Sequence, residues 1–234
     1  MATSATPRAW SVAALATRRH YFPALFVLLF ALSLAAFWDN LVTDVHQPSN
    51  GDPKMLVHAF FAASWMLTLV VQSAFIRAGN VRLHRRLGTA GFIAAVGVTL
   101  STLYLFVAKW KGWALMEPEV KANRLLLPAF AIFILLAYRN RRRPEIHKRL
   151  VLAGTLFLLE PILARLYDPY LVPVLPDAVN RWDAVAYLVY LAGTWSAFYL
   201  SLFVYDWLVL RRIHPVSLTG FAMAIALNAL AYLG

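Results

Sequence analysis

Seven long apolar runs, separated by short polar links, leave this chain few ways to fold. The runs cover about residues 21–38, 55–76, 87–108, 125–138, 150–166, 184–210 and 215–233. A helix rises 1.5 Å per residue, so about 20 apolar residues cross a hydrocarbon core of about 30 Å. Backbone facing lipid must satisfy its own hydrogen bonds, which leaves helices or a closed barrel. The runs are continuous rather than alternating, so they predict an all-α bundle of seven transmembrane helices. Composition agrees, at 61% hydrophobic and 14% charged residues, against about 25% charged in a soluble domain. The expected organisation is a membrane-surface amphipathic lead-in over 1–20 and one membrane domain over 21–234. The 125–138 run is short for a crossing and is expected to borrow flanking residues.

The cations fall in clusters between the runs. Residues 1–20 and the links before the third, fifth and seventh runs hold fifteen Lys and Arg, and the remainder of the chain seven. Eight of the eleven acidic residues lie in the opposite loops. Positively charged loops stay inside. The expected topology therefore has the N-terminus cytoplasmic and the C-terminus outside, in a bacterial inner membrane. Because the +11 net charge is dispersed among membrane links, nucleic acid is not expected as a partner. The basic face is expected to meet anionic lipid headgroups.

One phrase occurs twice. Leu83–Gly91 reads LHRRLGTAG and Ile146–Gly154 reads IHKRLVLAG, with five of nine positions identical. A weaker echo, RRIHPVSLTG, spans Arg211–Gly220. Each copy sets a histidine among cations where an apolar run begins: His84, His147 and His214. Imidazole ligates haem iron and several divalent metals. Arg85, Arg149 and Arg212 are placed to pair with propionates, phosphates or headgroups. If the three histidines converge they make a metal site; if not, they cap helices at the headgroup layer. His58 belongs near the other membrane face, as a cofactor residue or a hydrogen-bonded interfacial histidine.

Glu160, followed by Pro161, falls within an apolar run. An intramembrane carboxylate is costly and points to function, so Glu160 is a candidate for proton or quinone chemistry. It is expected near mid-bilayer, with Asn228 as a possible partner. Gln72, Trp65 and Asp206 are weaker candidates, with Asp206 expected to pair with Arg211.

Several chemistries are excluded. The chain has no cysteine, hence no disulfide, thiolate metal site or cysteine nucleophile. The last run has no lysine for a retinal Schiff base. There is no HExxH, no glycine-rich phosphate loop and no HxxxH or HxxHH cluster.

The order of motifs is His58-xx-Phe61-xxx-Trp65, Gln72, His84-Arg85-x-Leu87-Gly88, Arg143-Pro144-xx-His147-Lys148-Arg149-Leu150, Pro161-xxx-Arg165, Asp206 and Arg212-x-His214-Pro215. Over about residues 57–220 it resembles a group of uncharacterised bacterial multi-pass inner-membrane proteins. More distantly, the HRxLG element is similar to one in the b-type transmembrane cytochromes of the ascorbate and ferric reductase group. That resemblance implies haem held by histidines of neighbouring helices. The expected function is a membrane redox accessory protein binding b-type haem or a divalent metal. Two alternatives stand beside it. One is a non-enzymatic subunit or assembly factor of a larger respiratory or photosynthetic membrane complex. The other is a proton-linked or small-solute transporter.

Overall fold

The computed structural model describes residues 12–176 and 183–233; the first eleven residues of the expected lead-in, with Arg8 and Trp10, and the Arg181 region lie outside these. Among the described residues the fold is all-α, without strands. The main helices are α1 (Val12–Ala36), α2 (Pro53–Arg77), α3 (Val81–Ala108), α4 (Pro118–Arg139), α5 (Pro144–Leu156), α6 (Glu160–Leu166), α7 (Asp183–Leu210) and α8 (Pro215–Leu233), with shorter helical turns in the links. Six of them are long and apolar enough to cross a membrane, and the bent pair α5–α6 makes a seventh candidate. The chain is thus an integral membrane helical bundle.

Two expectations about length are corrected. The fourth helix is not short: it runs 22 residues from Pro118 to Arg139. Pro118 opens it, as proline does well at a first helical position, and polar Glu119, Lys121, Asn123 and Arg124 hide its first turns from a hydropathy reading. The fifth run is not one helix. α5 stops at Leu156, α6 starts at Glu160, and their axes differ by 48°. Pro161 has no N–H to give, and its ring crowds the carbonyl four residues back, at Phe157. Trp195 of α7 closes part of the gap by donating from Nε1 to the Leu156 carbonyl at 2.7 Å.

α2 and α3 form a tight hairpin. Gly79 turns the chain at φ +75°, and Asn80 Oδ1 accepts from the Leu83 N–H at 3.1 Å to cap α3. Side-chain-free positions let the two helices touch. A Cβ on Gly91 would stand 2.5 Å from Thr68 Cγ2, and one on Gly97 would enter the Phe61 ring. α4 is the most buried of the six unbroken spans and packs on α3, α5 and α8. Leu126, Phe130, Leu152, Leu156, Tyr199 and Leu202 form the fully buried centre around it.

The repeated phrase is two copies of one packing solution. In the first copy His84 is the fourth residue of its helix, and Gly91 meets the preceding helix at Thr68. In the second, His147 is again the fourth residue, its Nδ1 is 2.9 Å from the Ala137 carbonyl of the preceding helix, and a Cβ on Gly154 would lie 3.0 Å from Ile134 Cδ1. In both copies glycine lets the two helices close two turns after the histidine.

Candidate functional site

The starts of α3, α5 and α8 share one end of the bundle. There His84 and His147 approach each other, with ring centres 6.5 Å apart and planes at 79°. Each imidazole is the fourth residue of its helix. His147 Nδ1 donates to the Ala137 carbonyl at 2.9 Å, which leaves Nε2. His84 Nδ1 is buried without any hydrogen-bond partner. Metal-ligating histidines are ordinarily fixed as His147 is, one N–H on a carbonyl or carboxylate and the other nitrogen turned to the metal. On α2, one helix away from His84, Trp65 Nε1 and Gln72 Oε1 are also buried and unpartnered. Arg85 and Arg86 flank His84 and are exposed. Gly88, one turn deeper on α3, has no atom within 4 Å of where a Cβ would stand.

His214 has separate work. Its Nδ1 accepts from the Val216 N–H at 3.1 Å. Its own N–H donates to Asp206 Oδ2 at 2.9 Å. Among the described residues no three His, Asp or Glu side chains are grouped as metal ligands, so the three-histidine site expected from the sequence is not assembled.

Arg149 is also not free for a cofactor. It is fully buried. Its Nε and a terminal nitrogen donate to Asp206 Oδ1 at 2.7 and 2.5 Å. Its other terminal nitrogen donates to the Glu145 carbonyl and carboxylate, both at 2.7 Å. Asp206, expected to pair with Arg211, instead binds Arg149, the α8 N-terminus and Ser217 Oγ at 2.7 Å. A carboxylate at a helix start answers both the unpaired N–H groups and the dipole. Lys148 joins the same group through Glu145 at 2.8 Å and the Tyr205 hydroxyl at 2.8 Å. Of the three expected anion partners, Arg85 and Arg212 remain exposed.

Glu160 lies at the other end of the bundle rather than at mid-depth. It is 2% exposed and accepts from Asn123 Nδ2 and from the Tyr187 hydroxyl at 3.2 Å. Asn123 is near the start of α4, and Arg139 at the basic end is about 24 Å of helix away. The expected partner Asn228 bonds its own helix, donating to the Ala224 carbonyl at 2.8 Å. Arg165 turns away to Asn40 at 3.0 Å and Asp39 at 3.5 Å. His58 Nδ1 meets Ser101 Oγ at 3.2 Å and Thr102 Oγ1 at 3.4 Å, the hydrogen-bonded interfacial alternative. Asn123, Tyr187 and Tyr232 were not marked in the sequence. A lone asparagine at the head of an apolar helix was the available signal for Asn123; nothing in the sequence links either tyrosine to Glu160.

No family model, curated protein or solved structure matches this chain.

Proposed function

We propose that this protein is a membrane redox accessory protein that binds a b-type haem between His84 and His147. The single observation that carries this reading is the pair of neighbouring imidazoles, ring centres 6.5 Å apart, His147 tethered to a backbone carbonyl and His84 with a buried, unpartnered Nδ1. Metal–imidazole bonds are about 2.0–2.1 Å, which puts the ring centres of two imidazoles on opposite sides of one ion roughly 6 Å apart. A bare divalent ion such as zinc wants about four protein ligands, and the site offers two histidines. A haem iron would need fewer ligands from the chain, and His84 and His147 would hold it. The exposed guanidiniums of Arg85 and Arg212 supply charge for propionates. On this reading the basic end faces the cytoplasm of a bacterial cell, α5–α6 is the seventh span, and the C-terminus is outside.

The test is a reduced-minus-oxidised absorption spectrum of detergent-purified protein from haem-supplied cells, with metal analysis of the same sample. A Soret band and an α band, both lost in folded His84→Ala and His147→Ala, support the assignment. A colourless sample with stoichiometric metal moves the site to a divalent ion. A colourless, metal-free sample overturns the redox reading and leaves an accessory subunit of a larger membrane complex, held in part by anionic headgroups at its basic end.

A further inference from the structure

The second polar centre of the bundle is independent of the histidine pair. Glu160 is 2% exposed in an apolar bundle. Its hydrogen-bond partners, Asn123 and Tyr187, are both neutral donors. The nearest arginine on its own helix, Arg165, is engaged with Asp39 and Asn40. Arg124 of α4 is engaged with the Phe106 carbonyl at 3.0 Å. Among the described residues, no cation contacts Glu160 to offset the lost hydration of an ionised carboxylate.

Other titratable groups lie at this end of the bundle on α4, α7 and α8; α1, which also packs on α6, has none from Phe22 to Ala36. Glu119 of α4 lies one turn nearer the helix start than Asn123, on the same face. From α7 come Tyr187 and Tyr190, whose rings pack on Tyr167 at 5.0 and 5.4 Å. From α8 comes Tyr232, which feels both Glu119 and Glu160. The Tyr232 hydroxyl is buried and has no hydrogen-bond partner.

We propose that Glu160 is a proton-binding site, loaded through Glu119 from the end of the bundle opposite the histidines. The step is the uptake of one proton by the carboxylate to give the neutral acid, with no other bond made or broken. It removes a buried charge that no cation among the described residues neutralises. The new O–H needs an acceptor, and the idle Tyr232 hydroxyl is a group that the ionised form leaves unused. Glu119, half-buried at the head of α4, connects that position to the aqueous end, and Asn123 holds the carboxyl one turn below it.

The experiment is infrared difference spectroscopy of the purified full chain in nanodiscs, with carbon-13 glutamate to mark the carboxyl bands. The expected result is a protonated-carboxyl C=O stretch that disappears reversibly as pH rises and is absent in Glu160→Gln. Tyr187→Phe, which keeps the ring packing, shifts its frequency. Transfer to deuterated buffer shifts the wild-type band promptly, and Glu119→Gln slows that exchange several-fold. The proposal is overturned if folded wild-type protein shows no such band at any pH, or if Tyr187→Phe leaves it unmoved. It is overturned equally if Glu119→Gln exchanges at the wild-type rate, or if sodium at constant pH abolishes the band, which would mark a cation site. None of these readings depends on pigment, so the outcome is separate from that of the haem assignment.

Discussion

Arg149 and Asp206, 57 residues apart, are joined by two hydrogen bonds of 2.7 and 2.5 Å while neither side chain is exposed at all. The pair couples α5 to α7. Through the second oxygen of Asp206, which receives the His214 N–H and Ser217 Oγ, it also fixes the start of α8. Removing one member of a buried pair strands the other charge and costs about 3–5 kcal/mol. Arg149→Met and Asp206→Leu should each lower stability in detergent by that order, measured by chemical unfolding. The double replacement should recover a large part of the loss. Ser217→Ala removes one bond to a charged acceptor and should cost about 1.5–3 kcal/mol.

Closeness of α2 and α3 gives a second prediction. A Cβ on Gly97 falls within the Phe61 ring, and overpacking typically costs about 1–3 kcal/mol. Gly97→Ala should destabilise by this amount, and Phe61→Leu in the same chain should restore part of it. Gly88→Ala, with open space around its Cβ, should be neutral or slightly stabilising in the same assay.

The histidines should separate cleanly by role. His84→Gln and His147→Gln are expected to abolish the bound-haem spectrum. His214→Gln should leave the spectrum intact, because its ring serves the Val216 N–H. Parallel absorption spectra and unfolding curves check this: the first two variants lose pigment with the fold retained, the third keeps it.

Asp52 caps α2, accepting from the Lys54 N–H at 3.1 Å and pairing with Lys54 Nζ at 2.5 Å. The Lys54 side chain holds its carboxyl below the ordinary aspartate value. A carboxyl lowered on folding contributes stability above its unfolded value, about pH 3.9, and loses it as pH falls through the folded value. Amide exchange in the first turn of α2 should therefore accelerate below about pH 4. In Asp52→Asn the cap survives without the charge, and that acceleration should disappear.

Much of the fold could be read from the chain, because lipid is an unforgiving solvent. Pro215 and Leu233 bound a helix where hydropathy alone put them. The pairing of His84 with His147 was foreshadowed by the repeated phrase, since like sequences at like helix starts reach like depths. Other features needed the third dimension. Arg149 and Arg86 occupy equivalent positions in the repeat, yet one is buried on Asp206 and the other is exposed; only the neighbour across the bundle distinguishes them. Glu160 was visible as an oddity, but its depth was set by the break at Pro161, and its partners came from Asn123 and Tyr187 rather than from Asn228.

The hairpin of α2 and α3 also bears on how such a chain is made. Its link is three residues, Ala78–Asn80, and its Gly91 and Gly97 contacts need nothing synthesised later. A pair of spans that buries its own seam can leave the insertion machinery together. The α4–α5 pair repeats the design but ends on a buried guanidinium held by Glu145 alone until α7 delivers Asp206. Assembly of the second half therefore waits on the seventh helix, while the first is complete when its glycines close.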